Sequence, residues 1–257
     1  MSKLWLAIFA TASLASASYS QAGQDFDYNI GRDTFQGYLS IPKNKRTNNP
    51  TILIVHDWNG IDGYEKMRAD MLAELGYTAF CVDVYGKGVR PKNTQESAAE
   101  SGKYYKNPKL WHQRLRGALE TVSQLPQVDR NRIGAIGYCF GGTAVLEMAR
   151  QNMPVDAVVS FHGGLAGPSR AGRSVKPAVL VLHGDADTLV PEKDVRALTA
   201  EMNAAKATWR LVSFRGAKHA FTVPGSDKAG IEGVGYQEKA DKDSWVRMRD
   251  WLQRYVR

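Results

Sequence analysis

Six short apolar runs, alternating with stretches of helical periodicity, constrain this chain more than any other feature. TILIVH (51–56), YTAFCVDV (77–84), RIGAIGY (132–138), VDAVVSF (155–161), AVLVLHG (178–184) and TWRLVSF (208–214) are rich in β-branched or aromatic residues. Runs of that length and composition read as strands buried on both faces. Helical patterns fall between them at about 64–75, 109–124, 142–151 and 191–205, and a last one follows at about 240–255. This strand-then-helix alternation predicts an α/β fold, with a mostly parallel central sheet and helices on both faces. Ahead of it, residues 27–30 and 34–41 flank Gly31-Arg32-Asp33 and predict an N-terminal antiparallel hairpin at one edge.

The first 22 residues read differently. Lys3 precedes an apolar run from Leu4 to about Leu14, and small residues follow, ending in Ser20 and Ala22. That is the layout of a signal peptide, cleaved before Gly23 or, using Ala15 and Ala17, somewhat earlier. The run is shorter than the roughly 20 residues a membrane-spanning helix needs. The expectation is an exported protein, periplasmic or secreted, with no membrane span after cleavage and one domain over residues 23–257.

The chain carries a formal net charge of +8 and stays basic without residues 1–22, which hold one lysine and no acid. Its lysines and arginines are scattered and no nucleic-acid motif accompanies them, so no nucleic-acid partner is expected. KNKR at 43–46 reads as a solvated loop. The longest irregular excursions, 85–107 and 216–239, each follow a strand, at the end of the sheet where α/β folds place their ligands.

The chemistry is concentrated around one of the two cysteines. After RIGAIGY comes Gly137-Tyr138-Cys139-Phe140-Gly141-Gly142 and then the helical run TAVLEMAR. A strand ending in Gly-x-nucleophile-x-Gly before a helix is a nucleophile elbow, with cysteine where serine is commoner. The glycines permit a sharp turn, and the helix N-terminus favours thiolate over thiol. The bland alternative is a small buried cysteine among packing glycines. An acid and a base follow in the required order: Asp187 after a buried strand in LVLHGDADTLVP, and His219 after the next strand in FRGAKHAFT. Asp185 is the rival acid and reads better as a turn former, because Asp187 directly precedes the apolar-Pro segment that opens the next helix. His183 and His162, at strand ends, read as satisfied structural histidines, and His112 as solvent-facing. Backbone amides of Trp58 and Phe140 are the candidate oxyanion donors. Asp57 is equally a turn or capping residue, and Trp58, Tyr85, Tyr138 and Phe140 are either pocket lining or core.

Taken together, HDWNG (56–60), GYTAFCVDVYG (76–86), IGAIGYCFGG (133–142), HGDADTLVP (183–191) and HAF (219–221) resemble the dienelactone hydrolase family, cysteine-dependent members of the α/β-hydrolase superfamily. The resemblance runs from about Gly37 to the C-terminus. It implies an α/β-hydrolase fold with Cys139 as nucleophile, His219 as base, Asp187 as its orienting acid, and the Trp58 and Phe140 amides as oxyanion hole. It also implies an acid in the early loop that controls the thiol. The family usually carries Glu there, and this chain has Asp57, one methylene shorter. Cys81 matches a buried cysteine of some relatives, which implies packing rather than a disulfide. Family members that hold an anionic dienelactone place an arginine shortly after the catalytic histidine, where this chain has Val223.

The expected activity is hydrolysis of a small-molecule carboxylic ester or lactone through an acyl-thioester, with no metal and no organic cofactor, since HExxH, metal-spaced cysteine pairs and phosphate loops are missing from the sequence. The alternatives are acyl transfer to an alcohol, and a non-catalytic exported protein that binds a ligand or senses redox state on the same fold. Sequence gives no oligomeric state.

Overall fold

The computed structural model describes residues 23–43 and 47–256. The signal-peptide reading of 1–22 and most of the 43–46 loop lie outside the described residues. Among the described residues eight strands form one sheet: β1 (Gln24–Ile30), β2 (Asp33–Ser40), β3 (Asn49–Val55), β4 (Thr78–Val82), β5 (Val128–Tyr138), β6 (Ala157–Phe161), β7 (Ala178–Gly184) and β8 (Trp209–Phe214). Their spatial order is β1-β2-β4-β3-β5-β6-β7-β8. The β1–β2 hairpin is antiparallel and joins β4 in antiparallel register, Leu39 opposite Phe80. Every other neighbouring pair is parallel. This is the α/β-hydrolase arrangement predicted above, with its antiparallel N-terminal edge.

Among the described residues six α-helices connect and cover the strands: α1 (Gly63–Glu74), α2 (Thr94–Lys106), α3 (Pro108–Ser123), α4 (Phe140–Arg150), α5 (Glu192–Ala204) and α6 (Glu238–Tyr255). Strand side chains alternate between two cores. Leu53, Val55, Val179 and Val181 pack with Trp111 and Leu115 of α3, Val145 of α4 and Leu198 of α5. Ile52, Ile54, Leu180 and Leu182 pack with Leu72 of α1 and Met248 and Leu252 of α6. Burial on both faces is why these strands read as continuous apolar runs. Among the described residues no helix is long and apolar enough to cross a membrane.

Five of the six helices match the sequence expectation to within about two residues. The sixth, α2, occupies the segment 85–107 that the sequence reading left irregular. Its buried residues, Ser97, Ser101 and Tyr104, do sit at helical spacing, but two are serines, so the apolar stripe that marks a helix is missing. The readable signal is the cap. Asn93 Oδ1 accepts the Glu96 amide at 2.9 Å, while the Glu96 carboxylate accepts the Lys92 amide at 2.9 Å and Asn93 Nδ2 at 2.7 Å. Asn93→Ala is therefore expected to lower stability by about 1 kcal/mol, measurable as a shift of the urea midpoint at unchanged slope.

Candidate active site

The site is built on a backbone contact that only glycine permits. A Cβ on Gly141 would stand 2.0 Å from the carbonyl oxygen of Val55 at the end of β3, and one on Gly137 would stand 2.0 Å from that of Gly141. The first turn of α4 thus rests directly on the neighbouring strand end. Between these glycines Cys139 holds φ 51° and ψ −110°, at the N-cap of α4. A non-glycine residue in that region stores of order 1–3 kcal/mol of strain. The turn leaves the sulfur half-buried, on a helix that starts at the next residue.

A second close approach brings in the other two groups. A Cβ on Gly184 would meet the Ala217 carbonyl oxygen at 2.2 Å, so the end of β7 touches the loop after β8. The Ala186 amide donates to Ala217 O at 3.0 Å, and Asp185 Oδ1 accepts the Gly216 amide at 2.6 Å. Asp185 is thus the turn residue, as read from sequence. The backbone of His219 is held on both sides by the long 216–239 excursion: its amide donates to Gly233 O at 2.8 Å and its carbonyl accepts from the Gly235 amide at 3.0 Å.

These contacts align three side chains. His219 Nε2 lies 3.0 Å from Cys139 Sγ, and His219 Nδ1 lies 2.8 Å from Asp187 Oδ2. The other Asp187 oxygen accepts the Leu189 amide at 2.9 Å, which fixes the carboxylate plane. Burial disfavours charge on the imidazole, but the Cys139 sulfur and the Asp187 carboxylate outweigh it and push its pKa up to about 10. At neutral pH the ring is protonated, held between the Cys139 sulfur and the Asp187 side chain.

Phe140 is the first residue of α4, so its amide is one of the helix donors that lack an intrahelical acceptor. Trp58 follows β3 in a half-buried loop. Neither amide has a partner among the described residues. Trp58 O accepts the Tyr85 hydroxyl at 3.1 Å. His56, buried behind this loop, accepts the Val84 amide on Nε2 at 3.2 Å, which leaves Nδ1–H to donate to Asp57 O at 2.5 Å. Phe140 itself is core: Trp111 stacks on it at 4.6 Å, and Tyr85, Tyr104, Tyr105 and His56 surround it at 5.6–5.9 Å. Tyr85 and Tyr138 are buried as well, leaving Trp58 alone of the four aromatics partly exposed.

Asp57 accepts the Asn59 amide at 2.7 Å, the turn geometry, and has no hydrogen bond to the thiol among the described residues. Burial pushes its pKa up to about 7, reinforced by Asp62 and opposed by the Asn59 bond. A carboxyl that the sequence reading missed lies beneath it. Glu65 is buried and its two oxygens accept the amides of Asp57 at 3.3 Å and Asp62 at 3.0 Å, so it braces the loop that carries Trp58. Burial, with the nearby Asp57 and Asp62 charges, raises Glu65 well above the usual carboxylate range. The legible signal was Asp62-x-x-Glu65, a capping box at the start of α1.

The remaining histidines depart from expectation in two cases. His112 is half-buried, with Nε2 2.9 Å from Glu147 Oε2, because α3 packs on α4; it does not face solvent. His183 is buried as expected, but its Nδ1 has no hydrogen-bond partner among the described residues. His162 is buried and bonded on both ring nitrogens. Cys81 is buried and free, its thiol donating to Glu65 O at 3.3 Å. Among the described residues no group of three or more His, Cys, Asp or Glu side chains is placed to hold a metal.

The sequence profile of the dienelactone hydrolase family matches residues 35–256. A dienelactone hydrolase-like promiscuous phosphotriesterase from metagenomic libraries superposes with a TM-score of 0.85 at 30% identity, over 91% of this chain and 98% of that one. A Methylorubrum extorquens protein, provisionally named a carboxymethylenebutenolidase, is 28% identical over 80% of this chain and 72% of its own length. An uncharacterised Caenorhabditis elegans protein is 36% identical over 54% of this chain and 90% of its own.

Two measurements check this geometry. Gly141→Ala is expected to cost about 3 kcal/mol in denaturant unfolding, whereas Gly172→Ala, which meets nothing within 4 Å, stays within about 0.5 kcal/mol. Imidazole NMR should find His219 titrating near pH 10 and moving down in Cys139→Ala, because the sulfur contributes most to stabilising the cation. A midpoint indifferent to that substitution contradicts the ion pair.

Proposed function

The chain belongs to the dienelactone hydrolase family, and we propose that it hydrolyses carboxylic esters or lactones with Cys139 as nucleophile, His219 as acid and base, and Asp187 as the residue that orients and stabilises the imidazole. The observation that carries this reading is the unbroken line of hydrogen bonds from sulfur to imidazole to carboxylate at 3.0 and 2.8 Å. A ligand-binding or redox-sensing protein has no need of all three groups in that line.

In the proposed cycle the Cys139 thiolate attacks the carbonyl carbon, and the carbonyl oxygen takes up the negative charge against the Trp58 and Phe140 amides. The tetrahedral adduct collapses to an acyl-thioester as the C–O bond breaks, and the leaving alkoxide or enolate takes the proton from His219 Nε2. Water then attacks the thioester while the neutral imidazole accepts its proton. Thiolate is expelled, the carboxylic acid departs, and the imidazolium–thiolate pair is restored. Asp187 keeps Nδ1–H aimed at itself, so Nε2 always faces the sulfur.

The substrate class follows from the leaving group and from what lines the site. Thioesters can hydrolyse slowly, so activated esters, enol-lactones and thioesters are the proposed substrates ahead of simple alkyl esters. Val223 stands half-buried where dienelactone-binding relatives place an arginine, which supports an acyl group without a carboxylate at that point. Carboxymethylenebutenolidase activity, the name of the Methylorubrum relative, is one candidate among these. Export through residues 1–22 completes the proposal, with residues 23–257 acting as one hydrolase domain in the periplasm or outside the cell.

Purified mature protein is expected to release p-nitrophenol from p-nitrophenyl acetate, and Cys139→Ala to fall to the uncatalysed rate. Asp187→Asn should lower kcat about ten-thousand-fold by stranding the imidazole in the wrong tautomer. Equal rates for p-nitrophenyl and ethyl acetate would falsify the leaving-group argument. Turnover that survives Cys139→Ala would remove the nucleophile assignment.

A further inference from the structure

His162 is a buried titratable group beside both Cys139 and His219 that the cycle above leaves unused. It follows β6 directly, is 1% exposed and holds a positive φ of 39°. The Cys139 amide donates to its Nδ1 at 3.2 Å, a bond shared with Phe161 O at 3.1 Å. An amide can only donate, so Nδ1 is the acceptor and the ring proton sits on Nε2. That nitrogen therefore donates to Thr222 Oγ1, 2.8 Å away. Thr222 is fully buried three residues beyond His219. The His162 ring also stands against the His219 ring, centroids 5.3 Å apart and planes at 63°.

One neutral imidazole thus ties the strained turn that aims the sulfur to the loop that aims the base. Sequence separates Cys139 from His219 by 80 positions, and the two sit on different strand ends. Apart from the reacting pair itself, His162–Thr222 is a direct side-chain link between the two loops. We propose that His162 is a positioning residue, whose paired bonds to the Cys139 amide and to Thr222 set the distance and angle between the Cys139 sulfur and His219 Nε2.

Burial, reinforced by the charge on His219, holds His162 well below the ordinary histidine pKa, consistent with an acceptor at Nδ1. Thr222 has a second donor, the Tyr64 hydroxyl at 2.7 Å from the same Oγ1, and its carbonyl accepts Arg68 Nη2 at 3.1 Å. Tyr64→Phe removes that second bond without touching His162, and so separates the proposed link from general packing at Thr222.

The inference rests on the hydrolase reading, so its test has an arm that needs no ester. The full mature protein is alkylated with iodoacetamide and the Cys139 peptide followed by mass spectrometry; Cys81, fully buried, serves as the unlabelled internal control. His162→Phe, which keeps a ring of similar size, and Thr222→Val, which keeps the shape, are each expected to slow Cys139 alkylation about tenfold. On p-nitrophenyl acetate they should lower kcat about a hundredfold with KM within about twofold. The double variant should be no slower than either single, because both remove one link. Thr222→Ser should restore the rate and Tyr64→Phe should leave it within about twofold of wild type. Wild-type alkylation in both His162→Phe and Thr222→Val, losses that multiply in the double variant, or an equal loss in Tyr64→Phe each overturn the proposal. If His162→Phe does not fold, the Thr222→Val and Thr222→Ser pair decides. A protein that turns over no ester yet shows this alkylation pattern sinks the hydrolase reading and keeps the positioning role.

Discussion

Everything at the sheet's C-terminal edge depends on how closely the start of α4 can approach the end of β3. With glycine at 141 the helix backbone rests on the Val55 carbonyl, and any side chain there would occupy the space of an oxygen. That contact puts Cys139 into a left-handed conformation, an energetically costly one that surrounding packing must hold. The aromatic shell around Phe140 supplies part of that packing: Trp111 stacks on the ring at 4.6 Å, and Tyr85, Tyr104 and His56 close around it. The two candidate oxyanion donors therefore have different supports. The Phe140 amide is held by a rigid helix start in a packed core, and the Trp58 amide by a loop tied down through Tyr85, His56 and Glu65.

The site's hydrogen-bonding groups are arranged along a line. Asp187, His219 and Cys139 stand in series, and the imidazole between two acceptors becomes more basic, up to about 10, despite burial that acts the other way. Off this line burial has the opposite outcome, because it outweighs the hydrogen bonds and charges that oppose it. It raises Asp57 to about 7 and Glu65 well above the usual carboxylate range, lowers His56 to about 4, and holds His162 well below the usual histidine range. The protonated imidazole of the aligned set is thus surrounded by buried groups whose charged forms burial disfavours.

The strands and most of the helices were legible because they rest on local signals: apolar runs for strands buried on both faces, 3.6-residue periodicity for helices, and a Gly-x-Cys-x-Gly turn between them. The α2 helix was missed because Ser97 and Ser101 fill buried positions that apolar residues usually mark. Asn93 and Glu96 at its start were the one usable sign. His112 was misplaced for a related reason: the charged residues around it on α3 look solvated in sequence, but the partner that half-buries it, Glu147, comes from another helix 35 positions away.

The chain's own sequence carried the α/β alternation, the chain order of the candidates Cys139, Asp187 and His219, and the reading of Asp185 as a turn former, since each rests on a short local pattern placed along the chain. Tertiary structure alone decided which buried polar groups meet. Glu65 reaches back to the Asp57 amide, His162 to the Cys139 amide and Thr222, and His183 Nδ1 meets no hydrogen-bond partner among the described residues. The physical reason is that a hydrogen bond is set by distances of a few tenths of an ångström between atoms brought together by the whole sheet. No local pattern carries that information. It appears only when the ends of β3, β5, β6, β7 and the loop after β8 converge at one edge.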